Sequence, residues 1–165
     1  IWASEQDEID ATRIGMVSFS SGSIVAPVVM AASRTIKAGV FVTGGGALAD
    51  ILVYSEAITV RRMRQRVLGR FGWSKDILAE KLAPLFRDFD PSRYGFLINT
   101  CHVLLIDSFF DQSIPRDIQD RFYFALGGPE RISFMHGHKV TILGMTVLGG
   151  WKLNMFIDSF FEKHL

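Results

Sequence analysis

Residues 16–27 read MVSFSSGSIVAP, with four serines within residues 18–23 and apolar runs on either side. The run before the serines, residues 13–19, has the continuous apolar character of a buried parallel strand. The run after them, residues 23–34, is rich in small residues and is typical of a helix. The segment therefore predicts a sharp turn from a strand into a helix, with hydroxyl groups at the turn.

The rest of the chain repeats this alternation of strand and helix. Apolar runs with strand-like composition occupy residues 13–19, 37–44, 102–107 and 131–135. Helical patterns occupy residues 23–34, 74–89, 115–126 and 154–165, the second of them within a long, mostly helical region at 48–93. Apolar strands joined by helices are typical of a parallel sheet that is covered on both faces. We therefore predict an α/β fold with a mainly parallel sheet of about four strands in a single domain, residues 1–165.

The composition is that of a globular chain. Of its 165 residues, 48% are hydrophobic and 21% are charged, and the net charge is +1. The single cysteine, Cys101, excludes an internal disulfide framework. No apolar run reaches the roughly 18 residues that a membrane span requires, so no membrane span is predicted.

One local cluster of positive charge occurs, RRMRQRVLGR at residues 61–70. We interpret it as the solvated face of a helix, with Met63, Val67 and Leu68 on the opposite side. The cluster lacks interleaved aromatic residues and the chain is not strongly basic, so we do not predict a nucleic-acid partner.

Chemistry in a parallel α/β sheet is expected at the carboxyl ends of the strands. The four predicted strands are followed by SFSSGS, TGGGALAD, DSFFDQSIP and HGHK. A hydroxyl, a carboxylate and an imidazole therefore follow three of the strands, in the order serine, aspartate, histidine.

The serines differ in how much room their neighbours leave. A nucleophile at a sharp strand-to-helix turn needs small residues two positions before and two positions after it. Ser20 meets this requirement with Ser18 and Gly22, whereas Ser21 has the bulky Phe19 at the earlier position. Ser18 lies too early in the turn, and Ser23 belongs to the helix start, where we expect it to cap. Ser20 is therefore the candidate nucleophile.

Three segments resemble the α/β-hydrolases, in particular the branch of dienelactone-hydrolase-like and prolyl-oligopeptidase-like esterases. They are DATRIGMVSFSSGSIVAPVVMAA, VLLIDSFFDQSIP and GGPERISFMHGHKV, at residues 10–32, 103–115 and 127–140. The resemblance implies a catalytic triad of Ser20, Asp111 and His138. It also implies that the backbone N–H of Ser21 forms half of an oxyanion hole.

Two of these assignments have neighbours as alternatives. Asp107 ends the third strand, and we expect it to make a capping or turn hydrogen bond. Asp111 is favoured as the acid because the turn and Pro115 place it on the loop. His136 lies two residues before His138, and strand periodicity does not separate them. The preceding glycine, as in the family's G-H pair, favours His138.

No cofactor or metal is predicted. The glycines at 44–46 are not followed by Lys-Ser or Lys-Thr, which excludes a P-loop, and we interpret them as a tight turn. The HGH segment offers two nitrogens, with no further ligand at metal-binding spacing.

The resemblance covers only part of the family's fold. The four strands correspond to its strands five to eight, so we expect an N-terminally incomplete domain, the C-terminal half of a hydrolase. The first strand would then be an open edge, which invites a second chain or a homodimer to complete the sheet. The region 48–93 is expected to be a helical insert or a pocket wall. Ser18 and Ser23 stand where the family usually has glycine.

The predicted function is that of a serine hydrolase that cleaves small carboxylic esters through an acyl-enzyme intermediate. The alternative is a non-catalytic binding or assembly module with the same fold. Ser18, Ser23 and the missing half of the sheet favour this alternative.

Overall fold

A computed structural model describes residues 2–98, 102–146 and 151–165 of the chain. Within these ranges four strands form one sheet: β1 (Ile14–Phe19), β2 (Ile36–Val42), β3 (Val103–Ser108) and β4 (Glu130–Phe134). The α-helices of the described ranges are α1 (Ser21–Ala32), α2 (Leu48–Tyr54), α3 (Ile58–Phe71), α4 (Lys75–Phe86), α5 (Arg116–Ala125), α6 (His138–Thr146) and α7 (Trp151–His164). None of these helices is long and apolar enough to cross a membrane.

The sheet has the order β1-β2-β3-β4, and every pair of neighbours is parallel. Val40 on β2 pairs with Val17 on β1 and with Leu104 on β3, so the three strands are aligned near their centres. The predicted α/β class, with four parallel strands and surrounding helices, is confirmed.

Side chains alternate across the sheet and build a core on each face. On one face, strand residues pack against Ile157 and Phe160 of α7; they are Ala38, Val40, Val42, Leu104 and Ile106. On the other face, strand residues pack against α1 and α5; they are Phe41, Val103 and Leu105. Burying one Val, Leu or Phe side chain stabilises a fold by about 1.5–3 kcal/mol, so both layers of helices contribute.

Strand β1 is an edge of this sheet and is less buried than its sequence predicts. Phe161 of α7 packs against Gly15 near the start of the strand. Towards its end, Val17 and Phe19 remain 41% and 36% exposed. They lie in register with Val40 and Val42, on the face that α7 covers only in part.

The interpretation of residues 61–70 is wrong in one respect. Arg64 points inward and is only 4% exposed, whereas Met63 is exposed. The guanidinium of Arg64 donates to the carbonyl oxygen of Ser55 at 2.7 Å and to the carboxylate of Glu56 at 3.1 Å. The turn between α2 and α3 presents these acceptors, and a methionine in place of Arg64 would deprive the carbonyl of the buried Ser55 of this donor. The region 48–93 is mostly helical, as predicted, but its role as an insert or a pocket wall stays a prediction.

The end of β2 passes close to the start of α1. A Cβ atom added at Gly44 would lie 2.8 Å from the Cβ of Ser23 and 2.9 Å from its carbonyl oxygen. Because one of these contacts is with the backbone of Ser23, the structure could accommodate a Cβ atom at Gly44 only if the turn after β1 moved. Gly44 is therefore required for its small size.

We expect Gly44→Ala to lower the free energy of unfolding by about 1–3 kcal/mol, because the added methyl group overpacks this contact. Gly69→Ala is the matched control, since a Cβ there meets nothing within 4 Å. In the interior of α3 it should raise stability by up to about 1 kcal/mol. Urea unfolding of the two variants measures the difference, and equal values would contradict the close approach.

Candidate active site

Ser20 occupies the turn between β1 and α1 in a strained backbone conformation. Its φ is 51° and its ψ is −118°, a combination that residues other than glycine rarely adopt. Such a residue costs about 1–3 kcal/mol and persists only where its surroundings hold it. Here the N–H of Ser20 donates to the carbonyl of Val42 at 2.9 Å, and the N–H of Ser23 donates to the carbonyl of Ser20 at 2.9 Å. The turn is thus fixed from both β2 and α1.

The side chains of Ser20, His138 and Asp111 are hydrogen-bonded in series. Ser20 Oγ lies 2.8 Å from His138 Nε2, and His138 Nδ1 lies 2.6 Å from Asp111 Oδ2. The Asp111 side chain is fully buried, while that of His138 is 12% exposed. The structure therefore brings together the hydroxyl, imidazole and carboxylate that the sequence singled out.

Asp111 is oriented by its own loop. Its second carboxylate oxygen, Oδ1, accepts from the N–H of Ser113 at 2.6 Å and from the N–H of Ile114 at 3.0 Å. Oδ2 is left to accept from His138. This contact assigns the proton of the neutral ring to Nδ1, so Nε2 is free to accept the proton of the Ser20 hydroxyl.

The neighbouring candidates lie elsewhere. Asp107 accepts from Arg131 Nε at 2.6 Å on β4 rather than from His138, and it does not cap or close a turn as predicted. Burial raises the pKa of the Asp107 carboxyl group, and the adjacent Arg131 offsets only part of that rise. His136 is exposed, and its carbonyl oxygen accepts from the N–H of Phe110 at 3.1 Å.

Ser18 and Ser23 form a buried pair beneath the turn. Ser23 Oγ donates to the carbonyl of Val42 at 2.9 Å, and its distance to Ser18 Oγ is 3.0 Å. Since the Ser23 proton is used on Val42, Ser18 is the donor in that contact. The expectation that Ser23 caps the helix is wrong, because its buried hydroxyl finds an acceptor on β2 instead.

The N–H of Ser21 lies directly after Ser20, in the first residue of α1. An amide at this position has no acceptor within its own helix and lies at the positive end of the helix dipole. It is therefore available to a negatively charged oxygen near Ser20.

The loops that carry Asp111 and His138 are joined to each other. The N–H of Phe109 donates to the carbonyl of Phe134 at 2.8 Å, which extends the β3–β4 pairing beyond the strands. Ser108 Oγ donates to Thr141 Oγ1 of α6 at 2.7 Å, and both residues are buried. Sequence reasoning missed Thr141, because a single threonine in an apolar helix carries no signal of a partner.

No known family model and no curated protein matches the chain, but solved structures do. An acylaminoacyl peptidase of Pyrococcus horikoshii matches 95% of this chain and 25% of its own, at 23% identity and a TM-score of 0.68. An esterase of Pyrococcus furiosus matches 99% of this chain and 58% of its own, at 17% identity and a TM-score of 0.65. A puromycin hydrolase matches 83% of this chain and 20% of its own, at 19% identity and a TM-score of 0.64.

The chain has the fold of the matching part of an α/β-hydrolase. It spans about a quarter of the length of the acylaminoacyl peptidase. At the carboxyl edge of this α/β-hydrolase sheet, β1 leads to Ser20, β3 to Asp111 and β4 to His138. Strand β2 lies between β1 and β3 and supplies the Val42 carbonyl, which supports the turn at Ser20. Among the described residues, no group of three or more His, Cys, Asp or Glu side chains is placed to hold a metal ion.

The Ser18–Ser23 pair predicts non-additive effects on stability. Ser23→Ala should cost about 1–3 kcal/mol, because it leaves the buried Ser18 hydroxyl with only the Val40 carbonyl, at 3.4 Å. Ser18→Ala should cost less, since Ser23 keeps its bond to Val42. Urea unfolding of both single variants and the double variant measures the coupling. Strictly additive losses would contradict the hydrogen bond between the two hydroxyls.

The raised pKa of Asp107 predicts a dependence of stability on pH. Its folded-state pKa lies above the unfolded value, near 3.8, so the folded state binds the proton more tightly. Its contribution to the free energy of unfolding is therefore full at low pH and declines as the pH rises through the folded-state pKa. Asp107→Asn should remove the decline that begins as the pH rises above the unfolded value near 3.8, measured by urea unfolding. Asp158→Asn, an exposed change of the same charge on α7, should leave it in place.

Proposed function

We propose that this chain carries the nucleophile, general base and acid of a serine hydrolase that cleaves carboxylic esters. The observation that carries the proposal is the 2.8 Å contact between Ser20 Oγ and His138 Nε2, with Asp111 behind the imidazole at 2.6 Å. Three strand ends that are distant in sequence converge on this one arrangement. A buried carboxylate, a partly buried imidazole and a hydroxyl in series form the arrangement that acyl transfer needs.

The reaction proceeds in two halves. Ser20 Oγ attacks the ester carbonyl carbon while its proton moves to His138 Nε2. The tetrahedral intermediate collapses, the bond to the leaving alkoxide breaks, and His138 returns the proton to it as the alcohol departs. Water then attacks the acyl-enzyme with the same proton transfers, releasing the acid and restoring Ser20. Asp111 holds the imidazole in the productive tautomer and stabilises its charged form.

The N–H of Ser21 would bind the oxygen that becomes negative in the tetrahedral intermediate. One oxyanion donor contributes about 2.7–4 kcal/mol, or about 100- to 1000-fold in rate. Oxyanion holes commonly use two donors, so we expect a site with this single assigned donor to turn over slowly.

The structural neighbours are named as an acylaminoacyl peptidase, an esterase and a puromycin hydrolase, which supports a hydrolytic function. Cleavage of an ester requires less stabilisation of the transition state than cleavage of an amide, because an alcohol is a better leaving group than an amine. The ester is therefore the substrate class that we propose for a site with one assigned oxyanion donor.

The second candidate is a non-catalytic binding or assembly module. The observation that favours it is the edge of the sheet, where Val17 and Phe19 on β1 are exposed. An open apolar edge strand is suited to pairing with another chain. A second chain or a second copy of this one would then complete the sheet along β1, which also suits the first candidate.

Covalent labelling separates the two candidates. A fluorophosphonate should modify Ser20 in the full-length protein, with the adduct located by mass spectrometry of the peptide. Ser20→Ala should abolish labelling, whereas Ser159→Ala, on the exposed side of α7, should not. A folded protein that takes up no label would overturn the hydrolase and leave the binding module.

The two aspartates give a matched test of the acid. Asp111→Asn should lower kcat for a p-nitrophenyl ester by about 10⁴-fold, because the amide favours the wrong tautomer of His138. Asp107→Asn, four positions earlier and paired with Arg131, should change kcat by less than about threefold. Similar losses in both variants would contradict the assignment of Asp111.

A further inference from the structure

The side chain of Gln119 bridges the two ends of the loop that carries Asp111. This glutamine lies on α5 and is only 1% exposed. Its Nε2 donates to the carbonyl of Ser108 at 3.1 Å and to the carbonyl of Ile114 at 2.8 Å. Ser108 ends β3 and Ile114 precedes α5, so one side chain joins the two ends of the loop.

The two carbonyls belong to the same residues that orient Asp111. The N–H of Asp111 donates to the Ser108 carbonyl at 3.2 Å, and the N–H of Ile114 donates to Asp111 Oδ1 at 3.0 Å. Gln119 therefore fixes the distance across the loop whose centre presents the carboxylate to His138. If this distance increased, the Asp111 carboxylate would point away from His138 while the loop stayed folded.

The unpaired atom of Gln119 shows which part of the side chain is used. Its Oε1 is buried and finds no hydrogen-bond partner among the described residues. Leaving a buried acceptor unpaired costs about 1–3 kcal/mol, a cost that the two hydrogen bonds donated by Nε2 must offset. Both facing groups are acceptors, which requires the NH₂ and not the oxygen to face them. The side chain is thus explained by its two donors.

A second support holds the loop from outside. The N–H of Glu56, in the turn between α2 and α3, donates to the carbonyl of Gln112 at 2.7 Å. The buried Arg64 holds that turn in place. The loop should therefore stay folded when Gln119 is replaced, and its position alone should change.

We propose that Gln119 is a positioning residue for Asp111, which bridges the Ser108 and Ile114 carbonyls so that the carboxylate points at His138. The inference rests on the proposed hydrolase function. Gln119 touches neither substrate nor reacting atoms and acts through the loop. Its loss should reduce the fraction of molecules in which Asp111 and His138 are bonded, and so lower kcat with little change in KM.

The test uses the full-length protein and three variants. Gln119→Met removes both donors at similar volume. Gln119→Leu also removes both donors without burying a charge, and it serves if the methionine variant does not fold. Gln65→Met is the matched control on the exposed side of α3. Circular dichroism and urea unfolding establish that each variant is folded under the assay conditions.

We expect Gln119→Met to lower kcat for a p-nitrophenyl ester by about 10- to 100-fold, with KM within about twofold, because a displacement near 1 Å in an active site has effects of this size. The pH–rate profile should change together with kcat, because the contact between the imidazole and the carboxylate is weakened. The downfield proton resonance of the His138 Nδ1–H···Asp111 bond should broaden or disappear. Gln65→Met should match the parent protein in all three measurements.

The outcomes separate this inference from the function on which it rests. A parent protein that shows neither labelling nor turnover overturns the hydrolase, and the proton resonance then still reports whether Gln119 orients Asp111. A parent protein that is active, with a folded Gln119→Met variant of the same kcat, pH profile and resonance, overturns the positioning role. A loss of kcat that only follows the unfolded fraction, with the pH profile and resonance unchanged, also overturns it.

Discussion

The carbonyl oxygen of Val42, at the end of β2, is the constraint on which the rest of the site depends. It accepts from the N–H of Ser20 and from the hydroxyl of Ser23, so it holds the strained turn and the first turn of α1 together. This contact is available because β1 and β2 are parallel and stay in register up to their carboxyl ends, where Phe19 pairs with Val42. The strain at Ser20 is therefore maintained by sheet pairing, and the direction of its hydroxyl follows from the backbone.

The positions of Asp111 and His138 are also set by hydrogen bonds between neighbouring elements. Asp111 is aimed by backbone amides of its own loop, and that loop is tied to β4 and α6 through Phe109 and Ser108. His138 begins α6 directly after this junction. These contacts are made mainly by backbone groups and short side chains, with the buried Gln119 side chain bridging the two ends of the Asp111 loop.

Local patterns predicted the sheet and the turn at Ser20, whereas the choice of Asp111 and His138 also rested on the family resemblance. Apolar strands separated by helices predicted the parallel sheet, and crowding at Phe19 separated Ser20 from Ser21. The errors fell on buried polar side chains, where the partner lies on another element. Ser23 reaches β2, Asp107 pairs with Arg131, and Arg64 turns inward to a turn several residues earlier. Nothing near these residues in sequence identifies such partners. For the same reason the two hydrogen bonds of Gln119 became visible only in three dimensions.

The separation of the site residues along the sequence also has a consequence for how the protein folds during its synthesis. Ser20 and His138 are 118 residues apart in sequence, and Asp111 is 27 residues from His138. Parallel pairing of distant segments gives a high contact order, and such topologies fold slowly because long loops must close before contacts reward them. During synthesis, the hydroxyl leaves the ribosome long before its imidazole. Each strand pairs with the one before it in the chain, so much of the sheet can form before the histidine that completes the series has been synthesised.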